Sequence, residues 1–160
     1  MIDLYLIDGP GVLYARCAPP FAMNDILDLS RRLASGAVPG VTLSSPAIFD
    51  ARAISFDAIE TEEIRSYMRQ RTALSSRKSE SPLAMVAGDP GSFGMLRMMG
   101  IVAEISGIRD EDRTLVTYDL DDAIAWIADQ VQGDPGFCSA LSKGIADQVP
   151  DVLRPDQVRG

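Results

Sequence analysis

The sequence predicts an α/β domain on a five-stranded mixed sheet, an N-terminal β-hairpin followed by βα units. Three observations carry this. Residues 2–18 read as two extended runs around the breaker Asp8-Gly9-Pro10-Gly11. Beyond them, short apolar runs near 46–50, 82–87 and 113–118 alternate with segments of helical period. The run Pro82–Ala87 is apolar without interruption, as in a strand covered on both faces.

Ile2–Ile7 alternates and is rich in strand formers, and Val12–Ala18 returns as its partner. Asn24 is a good N-cap for a helix in which Ile26, Leu29 and Leu33 share a face, with Gly36 as the stop. Pro46–Asp50 is a short buried strand that ends on an acid. Asp57 and Glu60 have capping-box spacing for the second helix, and Thr61 is an equally good cap; Ile64, Tyr67 and Met68 form its apolar stripe. Residues 75–81 are a polar connector into the 82–87 strand. Ser92 is read as the cap of a third helix reaching about Ser106, stopped by Gly107. After the 113–118 strand, Asp119 caps a helix whose Leu120, Ala123, Ile124, Ile127 and Val131 share one face, with Asp121 and Asp122 favourable in the first turn. Trp126 lies beside the Ala123 edge of that face and is expected to border the core. Residues 1–131 thus read as one domain. Residues 132–160 read as an extension in which Leu141, Ile145 and Val149 suggest a short helix.

Composition restricts function. At 160 residues the chain suits one domain. It has no histidine, which removes Ser–His–Asp and Cys–His catalysis and the commonest metal ligand. Cys17 and Cys138 make no disulfide framework and lack an activating base. A net charge of −8 disfavours nucleic acid and anionic membranes, no apolar run is long enough to span a bilayer, and the N-terminus lacks a signal-peptide pattern, so a cytoplasmic location is expected. One local reversal exists: Arg65, Arg69, Arg71, Arg77 and Lys78 occur with no acid between them, which reads either as a helix end with its loop or as a docking patch for an anionic partner.

Three stretches carry a family resemblance: Ala47–Phe56, a strand, an aspartate and a loop into a helix; Phe93–Met98, soon after a strand; and Asp119–Ile127, which ends in Ala-x-x-Trp. In their order and spacing these resemble the STAS/SpoIIAA-like superfamily, in particular its small stand-alone bacterial proteins of uncharacterised role. The resemblance spans about residues 1–131. It implies a sheet with helices mainly on one face, and a role in protein–protein regulation or in holding an apolar ligand, with no catalytic residue. Where anti-sigma-factor antagonists of that superfamily carry a phosphorylatable serine, this sequence has Asp57 or Ala58.

Gly88–Gly94 matches neither phosphate-loop spacing and reads as a turn with a helix cap. Asp110–Asp112 and Asp119, Asp121 and Asp122 lack the calcium-loop pattern and read as solvated acids. The third helix is apolar over most of its circumference, with Arg97 and Glu104 its only charges. The expectation is that its Phe93/Leu96 side packs on the sheet, while Met95, Arg97, Met99 and Val102 meet a partner, and that Gly94 and Gly100 permit a close backbone approach. The functional expectation is a non-enzymatic module that needs no cofactor or metal. It acts through protein contact, as a homodimer or with another protein; the alternative is a carrier of a lipid-like or other apolar small molecule. No nucleic acid and no membrane insertion are expected.

Overall fold

A computed structural model describes residues 1–75 and 77–150. The connector residue Ser76 and the polar tail from 151 to 160 lie outside the described residues. The strands are β1 (Ile2–Ile7), β2 (Val12–Cys17), β3 (Ala47–Ala51), β4 (Leu83–Ala87) and β5 (Thr114–Thr117), and the helices are α1 (Met23–Ala34), α2 (Thr61–Ala73), α3 (Pro90–Ile105), α4 (Leu120–Gln130) and α5 (Phe137–Gln148). Each strand lies within two residues of its expected place. The sheet is mixed: β1 and β2 are antiparallel, the other pairs are parallel, and spatial order follows chain order.

That order decides where the helices go. Parallel strands that step in one direction, joined by crossovers of one hand, must carry all their connecting helices on one face. Met23, Ile26 and Leu29 of α1, Ile64 and Met68 of α2, and Leu96 and Met99 of α3 accordingly share one cluster with Ala15, Phe49 and Met85 of the sheet. The opposite face presents Ile7, Tyr14, Ile48 and Val86, and the C-terminal part of the chain covers it: Ile124 and Ile127 of α4 and Leu141 and Ile145 of α5. Three helices therefore pack on one face and two on the other. Trp126 is half-buried against this second cluster, bordering the core as expected.

Residues 132–150 are part of this packing. Leu141, Ile145 and Val149 are buried, and Arg16 of β2 donates to the Pro150 carbonyl. At Gly144 a Cβ would stand 2.4 Å from Cγ2 of Ile7, so α5 lies on β1 with no room for a side chain there.

Several helix starts differ from the sequence reading. Asn24 is inside α1, donating to Asp28 at 3.1 Å, while the Asp25 carboxylate accepts the Ala22 N–H at 3.0 Å and closes the turn. α2 begins at Thr61 itself, with Glu63 accepting from the Glu60 N–H at 2.9 Å; Asp57 belongs to the preceding turn. Asp89, not Ser92, caps α3: its carboxylate accepts the Ser92 N–H at 2.9 Å and the Ser92 hydroxyl at 2.7 Å. Pro90, which has no N–H to satisfy, takes the first helical position and so moves the start upstream. Asp119 does cap α4, 2.7 Å from the Asp121 N–H. A 3₁₀ turn at Glu111–Arg113 takes the first residue expected in β5.

Gly144→Val should lower unfolding stability by ~1–3 kcal/mol in urea titration, because the added atoms overpack against a fully buried Ile7. An unchanged urea midpoint would mean that α5 is not seated on β1.

Candidate functional site

In open α/β sheets ligands usually sit beyond the C-terminal ends of the parallel strands. Here that end is filled by the protein's own charges. The Tyr14 hydroxyl donates to Asp50 Oδ2 at 2.5 Å, and Arg52 approaches the same carboxylate through Nε at 2.9 Å and Nη2 at 2.7 Å. All three residues are buried. A Cβ on Gly88 would come within 2.4 Å of the Arg52 carbonyl oxygen, so the ends of β3 and β4 close over the cluster. The N-terminus of α3 is already occupied by Asp89. Burial, and then the charge of Asp50, push both the Tyr14 phenol and the Cys17 thiol up, so neither ionises near neutrality. Cys138 is half-buried against the second core cluster, and both cysteines are free. This end is a structural ion-pair cluster with its hydrogen bonds made.

The opposite end is different. Between α2 and α3, over the start of β4 and β5, lies a cavity of about 90 Å³. Two arginines line it, Arg71 from the last turn of α2 and Arg109 from the segment after α3. Arg71 is only 7% exposed, yet its guanidinium makes no hydrogen bond or ion pair among the described residues. Arg109 is half-buried and donates to the Ser81 carbonyl, also without a carboxylate. Burial first, and then repulsion from Arg71, bring the Arg109 guanidinium down to about 10. Among the described residues the cavity lining contains no Asp or Glu; its other walls include Met68, Met85, Met99 and Ile108, with the hydroxyl-bearing Tyr67 and Thr114.

The surrounding bases behave otherwise. Arg65 and Arg69 are exposed on α2 and face Glu62, at 4.0 and 3.0 Å, and Lys78 pairs with Asp110. The basic run therefore does not form one patch: Arg65, Arg69 and Lys78 meet acids, Arg77 is exposed, and Arg71 turns inward. Helical spacing explains the turn, because Ile64, Met68 and Arg71 lie at i, i+4 and i+7 and all three are buried. The same spacing was available in the sequence, where Arg71 reads only as one base among five. Arg109 had no such signal. The Ser79 N–H bond to the Ile108 carbonyl at 2.8 Å fixes its loop.

The side of α3 expected to meet a partner is divided by the fold. Met99 is buried in the core and lines the cavity, so it belongs to no outer surface; Met95 and Val102 are half-buried against the same cluster; Arg97 is exposed. The side packed on the sheet is Leu96/Met99, with Phe93 half-buried and stacked on Tyr118 at 4.7 Å. The outer stripe instead carries Ile101, 43% exposed, and Ile105, 80% exposed. Gly94 and Gly100 are not pressed by another backbone: nothing lies within 4 Å of a Cβ at Gly94, and at Gly100 the nearest atom is Thr114 Cγ2 at 3.6 Å. Among the described residues no group of three His, Cys, Asp or Glu side chains is placed to hold a metal ion, and no helix is long and apolar enough to cross a membrane.

No family model, no curated protein and no solved structure matches this chain.

An unpaired buried cation opposes folding, and apolar replacement of buried charge is often stabilising. Arg71→Met, which keeps the helix propensity of the site, should raise the thermal midpoint of the ligand-free protein by roughly 2–4 °C, the equivalent of ~1 kcal/mol in a domain of this size. A lower midpoint in calorimetry would mean that Arg71 is a structural residue.

Proposed function

We propose that this chain is a non-enzymatic binding module that holds a small organic anion between Arg71 and Arg109. The observation that supports this is two guanidiniums, of the buried Arg71 and the half-buried Arg109, lining one cavity with no carboxylate among the described residues to neutralise either. Like charges in a partly dry site repel, and a protein of net charge −8 has acids to spare for pairing them; it pairs the exposed Arg65, Arg69 and Lys78 instead. An anion within ~4 Å of either guanidinium would gain ~4 kcal/mol of gross Coulomb attraction at the effective dielectric of such sites. Among the described residues the ionisable side chains lining the cavity are Tyr67, Arg71 and Arg109, with no Ser, Cys, His, Asp or Glu, a set that favours binding over catalysis. This reading takes up the small-molecule carrier expected as the alternative and adds a charged head to its ligand.

Sodium salts of acetate, phosphate and sulfate, compared at constant ionic strength, test the reading. At least one should raise the thermal midpoint of the wild type in a saturable way, by ~2.7 kcal/mol at a hundred times its dissociation constant, and should do so much less for Arg71→Met. Equal shifts in the two proteins for every anion would remove the proposal.

A second reading, self-association through α3, is favoured by the exposure of Ile101 and Ile105 on its outer stripe. Ile105→Glu should then leave folding intact and move the sedimentation profile toward monomer at a given concentration. A profile identical to wild type would leave those two side chains as ordinary surface.

A further inference from the structure

We infer that the anion is a monocarboxylate with a short branched or ring-like apolar body; this rests on reading the Arg71/Arg109 cavity as an anion site. The first argument concerns charge. The cavity lies along the C-terminal halves of α2 and α3, which contribute Tyr67, Met68 and Arg71, and Met99, Gly100 and Ala103. These halves lead to the carbonyl ends of both helices, where each macrodipole places about half a negative charge. Phosphate sites use the opposite, N–H-bearing end, and the one such end nearby in sequence, that of α3, is closed by Asp89. A dianion would face two negative helix ends; a monoanion needs only the guanidiniums.

The second argument is the supply of donors. Outside the two guanidiniums, the polar side chains of the lining are Tyr67 and Thr114. A carboxylate has two oxygens in one plane, which a guanidinium fork satisfies directly. The peripheral oxygens of a phosphate group would be left against Met68, Met85, Met99 and Ile108, where each unpaired acceptor is costly.

The third argument is shape. A dry apolar cavity of ~150 Å³ accepts benzene, so by proportion the 90 Å³ here takes an apolar body of about four carbons. Three methionines on α2, β4 and α3 surround that volume, and their flexible thioethers adapt to a branched chain or a small ring. Isovalerate fits these requirements.

Calorimetric titration of the full chain with isovalerate, 3-methylbutan-1-ol and inorganic phosphate separates the outcomes. Isovalerate should bind the wild type at least tenfold more tightly than either other compound, and Arg71→Met should weaken it at least tenfold. In the wild type, isovalerate should also shift the methyl signals of Met68, Met85 and Met99 in a methionine-labelled carbon–proton spectrum, an observation that does not depend on any variant. Phosphate binding as tightly as isovalerate, with the same dependence on Arg71, would overturn the carboxylate inference and leave the anion reading standing. Isovalerate binding with unshifted methionine methyls would overturn the placement of its apolar body. Should none of the anions tried, acetate and sulfate included, bind in a manner that depends on Arg71, both the inference and the reading beneath it fall.

Discussion

The architecture depends on one constraint, the unidirectional stepping of the parallel strands. Because β2 to β5 advance across the sheet in chain order, α1, α2 and α3 all fall on the same face. The other face then exposes Ile7, Ile48 and Val86, which only chain beyond β5 remains to cover. α4 covers the β3–β5 half and α5 reaches β1, so the segment that resembles an appendage in sequence completes the core. Gly144 marks how closely it does so.

The same constraint creates the contrast between the two ends of the sheet. At the C-terminal ends of the strands, Tyr14, Asp50 and Arg52 converge from adjacent elements and satisfy one another in the interior. At the other end, the cavity between α2 and α3 over the start of β4 and β5 is lined by two arginines that meet no acid among the described residues. A buried charge is tolerated where its hydrogen bonds are made, as at Arg52, and opposes folding where they are not, as at Arg71. This unmet electrostatic demand beside a cavity is what motivates the proposed anion site, since a ligand could supply what folding left out.

Most of the fold was legible because hydrophobic period is a local property. The hairpin, the uninterrupted Pro82–Ala87 strand and the apolar face of α4 all stand where their patterns place them. The helix starts were less legible: Asn24, Asp57 and Ser92 each have capping chemistry, but Asp25, Glu63 and Asp89 lie close by and close the turns instead. A window of a few residues holds several adequate caps, and the path of the preceding loop selects among them. The candidate site was hardly legible. Arg71 lies on the buried stripe of α2, but a base in that register normally extends to solvent. Met99 has the composition of an interface residue and is core, because the direction in which α3 crosses β4 turns it inward.

Taken alone, the sequence determined the class of fold, the five strands and the absence of histidine chemistry, since each is fixed by composition or by spacing along the chain. Only the tertiary structure decided that α5 is core, that the usual crevice is closed by an ion pair, and that Arg71 and Arg109 share a cavity although 38 positions apart. Those facts depend on which distant segments face each other, and a pairing across the sheet leaves no periodic trace in either partner. The charge of an arginine is written in the sequence; whether it has a counter-ion is a property of the packing.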